Sequence, residues 1–257
     1  MLLKDRVALV TGAAQGLGRG IAQALAEEGA AVAATDIQQD GGAETATMVE
    51  KLGLRASAFT MDVTSEASVA QTLETVVREF GRLDVLVNNA GVIKMNPFLD
   101  ISATDYAATF DVNVKGVLLC SQLAARQMMR QDGGGAIVNI ASNAGKVGYP
   151  SMADYNASKA AIISLTRSMA AELAPHINVN AVCPGGVRTD MLRVVADWLA
   201  ERSGEDPESL LQNFPPAQLG RLIEPVEVGR VVAFLASERA HIIRGQAINV
   251  DGGETPY

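Results

Sequence analysis

Short apolar runs rich in β-branched residues alternate with helix-length segments along the whole of this 257-residue chain. That alternation limits the fold more than any other feature. Runs such as Val7-Ala8-Leu9-Val10 and Ala136-Ile137-Val138-Asn139-Ile140 are nearly continuous in apolar side chains. Strands buried on both faces read this way, and half-exposed strands do not. The pattern predicts strands at 6–11, 31–36, 55–61, 83–87, 135–141, 177–182 and 247–250. Helices are predicted at 16–29, 42–52, 65–80, 112–130, 152–173 and 225–236. Ser102, with Asp105 three residues on, reads as a capping box opening one more helix. Strands separated by helices imply parallel βαβ units, hence an α/β fold with a doubly wound parallel sheet and helices on both faces.

The composition agrees. Aromatics make up 4% while glycine numbers 24, which suits close helix-on-sheet packing. A hydrophobic content of 48% with 19% charged residues excludes a disordered chain. No composition break marks a second domain, so residues 1–257 are expected to form one. The least patterned stretch, 188–222, contains Gly204-Glu205-Asp206-Pro207 and Phe214-Pro215-Pro216 and is expected to be a substrate-binding flap. The net charge of −8 (21 basic, 29 acidic) argues against nucleic acid as a partner. No apolar run is long enough for a membrane span. Charges follow soon after Met1, so no secretory leader is expected. Two cysteines, Cys120 and Cys183, cannot make a disulfide framework, and a cytoplasmic address is the default.

Between the first strand and first helix lies Thr11-Gly12-Ala13-Ala14-Gln15-Gly16-Leu17-Gly18. Glycines there permit a tight turn and let a pyrophosphate approach the N–H groups at a helix N-terminus. No Gly-Lys-Ser/Thr follows, which excludes a Walker-type loop. Asp36 ends the second strand at the separation expected of a ribose-binding acid. Its carboxylate would accept from the ribose hydroxyls and repel a 2′-phosphate. Gln15 and Ile37 offer no cation to such a phosphate, so NAD (NADH) is favoured and NADP is disfavoured.

Tyr155 and Lys159 are four apart on a predicted helix and share a face. An ammonium beside a phenol favours phenolate, which is expected to lower the Tyr155 pKa and make it a general acid/base. Ser142 lies just past a strand end, where an open parallel sheet places its ligands. The chain resembles the short-chain dehydrogenase/reductase family, with a Rossmann-type sheet, over nearly its full length. The matching residues are Thr11-Gly12-x-x-x-Gly16-x-Gly18, Asp62-Val63, Asn88-Asn89-Ala90-Gly91, Asn113, Ser142, Tyr155-x-x-x-Lys159 and Pro184-Gly185-Gly186-Val187-Arg188-Thr189.

The resemblance implies an NAD-dependent enzyme that interconverts a secondary alcohol and a ketone. By that resemblance Tyr155 would exchange the proton with the substrate oxygen and Ser142 would stabilise that oxygen. Lys159 would lower the Tyr155 pKa and hold the nicotinamide ribose, and Asn113 would keep a water in a proton relay. The cofactor would be bound by Gly12, Gln15, Gly16, Leu17, Gly18, Asp36, Asp62, Val63, Asn89, Ala90, Gly91, Pro184, Gly185, Val187 and Thr189, together with Tyr155 and Lys159. No metal is expected.

For the substrate, Ser142-Asn143-Ala144-Gly145-x-x-Gly148 is similar to the corresponding stretch of polyol, sugar-alcohol and diol dehydrogenases. Asn143, Tyr149, Met191 and Trp198 are expected to join Ser142 and Tyr155 there. Hydroxybutyrate-type members carry a His and a Lys where this chain has Ala144 and Met152, which argues against small hydroxy acids. A 3-oxoacyl reductase acting on an acyl-carrier-protein or CoA thioester is the alternative. A non-catalytic dinucleotide-sensing or interaction protein is an alternative of another class. The family commonly forms homotetramers through the helices expected at 112–130 and 152–173.

Overall fold

The structure, a computed structural model, describes residues 1–214 and 218–255. Its strands are β1 (Val7–Thr11), β2 (Ala31–Asp36), β3 (Ala56–Thr60), β4 (Val85–Asn88), β5 (Gly135–Ile140), β6 (Ile177–Pro184) and β7 (Ala247–Val250). They form one seven-stranded sheet in the order β3-β2-β1-β4-β5-β6-β7, every pair parallel. The order reverses between β1 and β4, and an open sheet has its ligand crevice at the carboxyl ends of the strands beside such a reversal.

Alternation of side chains along each strand divides the core in two. Ala8, Val10, Val32, Val85, Val87 and Val138 face α1 (Gly16–Glu27), α2 (Gln39–Glu50) and α9 (Pro225–Leu235). Leu9, Leu86, Ile137 and Val179 face α3 (Glu66–Phe80) and α5 (Gly116–Met128). Ile162 and Ile163 of α6 (Ala153–Glu172) pack on Ala181 and Cys183 of β6. The glycine content has a packing cause at the α1–α9 crossing. A Cβ on Gly229 would lie 2.7 Å from both the Gly20 carbonyl oxygen and the Ala24 methyl.

Three local expectations are corrected. The helix expected at 112–130 continues from α4 (Ala103–Phe110) through a π-turn at Asp111–Lys115 into α5. The capping box at Ser102 forms by half. Its hydroxyl accepts from the Asp105 N–H at 3.0 Å, but the Asp105 carboxylate pairs with Lys94 at 2.6 Å instead. The stretch expected to be unpatterned holds α7 (Asp190–Ser203) and α8 (Pro207–Asn213). Thr189 caps α7, Gly204 ends it in the left-handed region, and Asp206 caps α8. Pro215 and Pro216 of that stretch lie outside the described residues. No helix among the described residues is long and apolar enough to cross a membrane.

Candidate active site

β1 delivers the chain to the reversal point at Thr11, and Gly12 turns it with φ +64. The segment after β4 locks this turn. The Thr11 hydroxyl accepts from the N–H groups of Asn89 (3.0 Å) and Ala90 (2.9 Å). The Asn89 amide donates to the carbonyls of Thr11 and Gly12, both at 2.9 Å. A Cβ on Gly12 would lie 2.8 Å from Ala90 Cα, and one on Gly18 only 2.0 Å from the Gly12 carbonyl oxygen. Gln15 caps α1 with no side-chain hydrogen bond, so the positive end of the helix opens into the cleft past Gly16, Leu17 and Gly18.

Asp36 stands at the end of β2 on the cleft wall. One carboxylate oxygen accepts from the Ala14 N–H (3.0 Å) and the other from Gln38 N–H (2.9 Å), which fixes its position over the turn. Ile37 beside it is 68% exposed and brings no positive charge. Asp62 closes its own turn by accepting from the Thr64 N–H (2.9 Å) and hydroxyl (2.8 Å). Asp62 and the buried Val63 line the same cleft, as do Asn89, Ala90 and Gly91.

Ser142 follows β5 and begins a short turn that lies directly on α6. A Cβ on Gly145 would come within 2.7 Å of the Lys159 carbonyl carbon. Tyr155 sits in the first turn of α6 and Lys159 one turn later, both buried. The Lys159 ammonium donates to the Ile140 carbonyl at 2.8 Å and lies 5.6 Å from the centre of the Tyr155 ring. Burial pushes the Tyr155 hydroxyl up to about 12, against a hydrogen bond with Ser142 that pulls it down. Burial also lowers Lys159 to about 8. This corrects the expected depression of Tyr155 by Lys159. Desolvation outweighs everything else around the phenol, and the group that favours its phenolate is Ser142.

Asn113 is 1% exposed and enters from the π-turn, where the wide backbone ring turns its side chain inward. It accepts from the Val92 N–H at 2.8 Å and donates to the Val92 carbonyl and the Ser158 hydroxyl, both at 3.0 Å. Ser158 in turn donates to the Tyr155 carbonyl at 2.7 Å. Asn113 Oδ1 and Lys159 Nζ flank Gly91, lying 3.3 and 3.6 Å from where a Cβ would stand. Thr189, at the start of α7, approaches the glycine turn. Its methyl is 3.4 Å from a Cβ placed on Gly16.

These groups surround one cleft of ≈ 540 Å³. Its walls include Pro184, Gly185, Val187, Thr189, Asn143, Tyr149 and Met191 together with the glycine turn, Ser142, Tyr155 and Lys159. Asn113 stands behind the wall, and Trp198 lies outside it with the Arg202 guanidinium 3.7 Å over its ring. Sequence reasoning missed Glu254 and Phe214, which also line the cleft. Neither sits in a motif, and only the tertiary fold brings them there. The bare glycine turn, the open helix terminus and the carboxylate at the β2 end fit the phosphates and ribose of a dinucleotide. Among the described residues no group of His, Cys, Asp and Glu is arranged to hold a metal.

A family model described as enoyl-(acyl carrier protein) reductase matches residues 12–255. A short-chain dehydrogenase/reductase of Armillaria gallica is 42% identical over 97% of this chain and 96% of its own. Galactitol 2-dehydrogenase of Agrobacterium fabrum is 40% identical, with 98% of each chain covered. A 3-oxoacyl-(acyl-carrier-protein) reductase of Staphylococcus aureus is 42% identical over 96% of each. Among solved structures, NAD⁺-bound xylitol dehydrogenase superposes with a TM-score of 0.92 at 36% identity, covering 98% of this chain and 100% of the other.

Proposed function

The chain belongs to the short-chain dehydrogenase/reductase family, oxidoreductases that bind a nicotinamide dinucleotide, and on that premise we propose that it interconverts a secondary alcohol and a ketone with NAD(H). The substrate proposed is a small polar alcohol: a polyol, sugar alcohol or diol. The observation that carries the reading is the meeting of Ser142, Tyr155 and Lys159 on one wall of the cleft whose far end is the glycine turn.

When bound, the nicotinamide ring takes or supplies the hydride. The rest of the chemistry belongs to the chain. Gly12, Gly16 and Gly18 would hold the pyrophosphate at the start of α1, and Asp36 would accept from the adenosine ribose. Asp62, Val63, Val187 and Thr189 complete the wall. Tyr155 passes the proton to or from the substrate oxygen, and Ser142 donates to that oxygen as charge grows on it. When no substrate oxygen engages it, the same hydroxyl favours the Tyr155 phenolate. Lys159 holds a positive charge one turn below, and Asn113 anchors the Val92 backbone and Ser158 behind them. The buried setting keeps bulk water from the reacting atoms.

A second reading, reduction of a 3-oxoacyl thioester, is favoured by the apolar lining that Met191, Leu192, Val195 and Phe214 give the flap side of the cleft. A panel of sugar alcohols, diols and 3-oxoacyl thioesters, assayed with NAD(H) and NADP(H), decides between them. Turnover of polyols with NAD is expected. Turnover confined to thioesters would replace the first reading by the second. Asp36→Ala is expected to shrink the NAD over NADP preference by roughly tenfold, the size of one charge-assisted hydrogen bond. An unchanged preference would remove Asp36 from the selection. A cytoplasmic homotetramer assembled through α5 and α6 completes the proposal, and light scattering tests the assembly.

A further inference from the structure

The cleft carries a second polar pole that the catalytic motifs do not include. Ser142 donates to the Asn143 side-chain oxygen Oδ1 at 3.3 Å, and the Asn143 side-chain amide Nδ2 donates to the Tyr149 hydroxyl at 2.9 Å. That hydroxyl donates to Glu254 Oε1. The hydrogen-bond chain therefore runs from the reacting serine to a carboxylate 105 residues beyond Tyr149 in sequence. Glu254 is exposed to solvent and lines the cleft. Its other oxygen, Oε2, lies 2.8 Å from where a Cβ on Gly185 would stand, so any side chain at 185 would displace it.

The segment bearing Glu254 is built rather than trailing. The buried Asp251 accepts from the Gly253 N–H at 3.1 Å and from both the N–H and the hydroxyl of Thr255. Asn249 of β7 donates to the Thr255 carbonyl and is itself held by the Lys146 ammonium, which comes from the turn after Ser142. Gln218 donates to the Gly253 carbonyl at 3.1 Å from the far side. The strand end, the catalytic turn and the stretch after α8 thus converge on one short loop, and the loop aims a carboxylate into the cleft.

We propose that Glu254, held by Tyr149 and Asn143, is a specificity-determining residue that selects substrates carrying a second hydrogen-bond donor, the hydroxyl of a diol or polyol, and rejects anionic ones. The inference rests on the polyol reading above and deepens it. A carboxylate accepts from a hydroxyl and repels a carboxylate or phosphate. It also gives a physical reason for disfavouring small hydroxy acids that does not depend on Ala144 and Met152. Tyr149 spends its proton on Glu254 and accepts from Asn143. It thereby sets the carboxylate's position, with Oε2 beside Gly185 on the cleft wall.

The test compares three substrates on one carbon skeleton: a vicinal diol, the secondary mono-alcohol and the matching hydroxy acid. Each is assayed with NAD on the wild-type enzyme, on Glu254→Gln and on Tyr149→Phe. The wild type is expected to prefer the diol. Glu254→Gln should cut the diol over mono-alcohol ratio of kcat/KM by about tenfold, mainly through KM, because one charge-assisted hydrogen bond is weakened. It should also raise the hydroxy acid relative to the mono-alcohol. Tyr149→Phe should move the first ratio in the same direction by a smaller factor, through a carboxylate less firmly placed. A wild type that turns over the diol, with both ratios unchanged in both variants, overturns the role of Glu254 alone. A wild type that turns over thioesters and no diol overturns the polyol reading, and this inference with it.

Discussion

At the glycine-turn end of the cleft, side chains are kept out. At the opposite end they are brought in from distant parts of the chain. Gly12, Gly16 and Gly18 leave a bare backbone, and a methyl on Gly18 has no room at all, with the Gly12 carbonyl oxygen 2.0 Å away. Between Ser142 and Glu254 the cleft is made of amides, hydroxyls and a carboxylate linked in series. The pyrophosphate is common to the nicotinamide dinucleotides, so its site is built from backbone and tolerates little change, while the Asp36 side chain marks the ribose end. A substrate pocket is chosen by individual side chains, each of which is replaceable without dismantling the sheet.

That contrast orders the expected effects of substitution. Ser142→Ala, at the junction of the two ends, should lower kcat by about 10²–10³, the usual loss for one donor to a developing oxyanion. The same change removes the hydrogen bond that favours the Tyr155 phenolate. The Tyr155 pKa then rises further, and the ascending limb of alcohol oxidation, where the base loses its proton, moves to higher pH. A pH–rate profile checks both, and a limb that stays put or moves to lower pH breaks the link between the two residues. Gly18→Ala should come next. Overpacking of about 1–3 kcal/mol, if it falls on the binding loop, weakens dinucleotide affinity about ten- to a hundredfold. A fluorescence titration with NADH measures it, and full affinity would mean that the turn adapts more readily than its contacts allow. Trp198→Ala should have the smallest effect, within about threefold in kcat/KM, the ordinary scale of a residue away from the reacting groups. Its ring lies outside the cleft under Arg202. A loss well beyond tenfold would place Trp198 against the substrate and blur the contrast.

The two ends also differed in how legible they were. The alternation of apolar runs and helical segments predicted the strands closely, β2 and β7 to the residue. The glycine spacing, Asp36, Ser142, Tyr155 and Lys159 are legible in the sequence because each stands at a fixed distance from an element end. The π-turn at Asp111–Lys115 leaves no such mark, since it continues α4 into α5 with no side-chain cap between them. The helices α7 and α8 were hidden by the Gly, Pro and acidic residues between them, which turned out to be their caps. Glu254 was invisible because its partners, Tyr149 and Asn143, meet it only after β5, β6 and β7 have assembled. The upward direction of the Tyr155 pKa is hidden from the sequence for a related reason. A four-residue spacing gives the proximity of Lys159, but the depth at which both are buried comes from packing.

The most direct test of hydride transfer in this cleft uses a polyol labelled with deuterium at the reacting carbon, incubated with NAD and the wild-type protein. The deuterium is predicted to appear on the nicotinamide ring of the NADH formed, one per ketone produced, and Tyr155→Phe is predicted to form none while still binding NADH. Deuterium recovered in water rather than in NADH, or undiminished turnover by Tyr155→Phe, would contradict the chemistry assigned to this site.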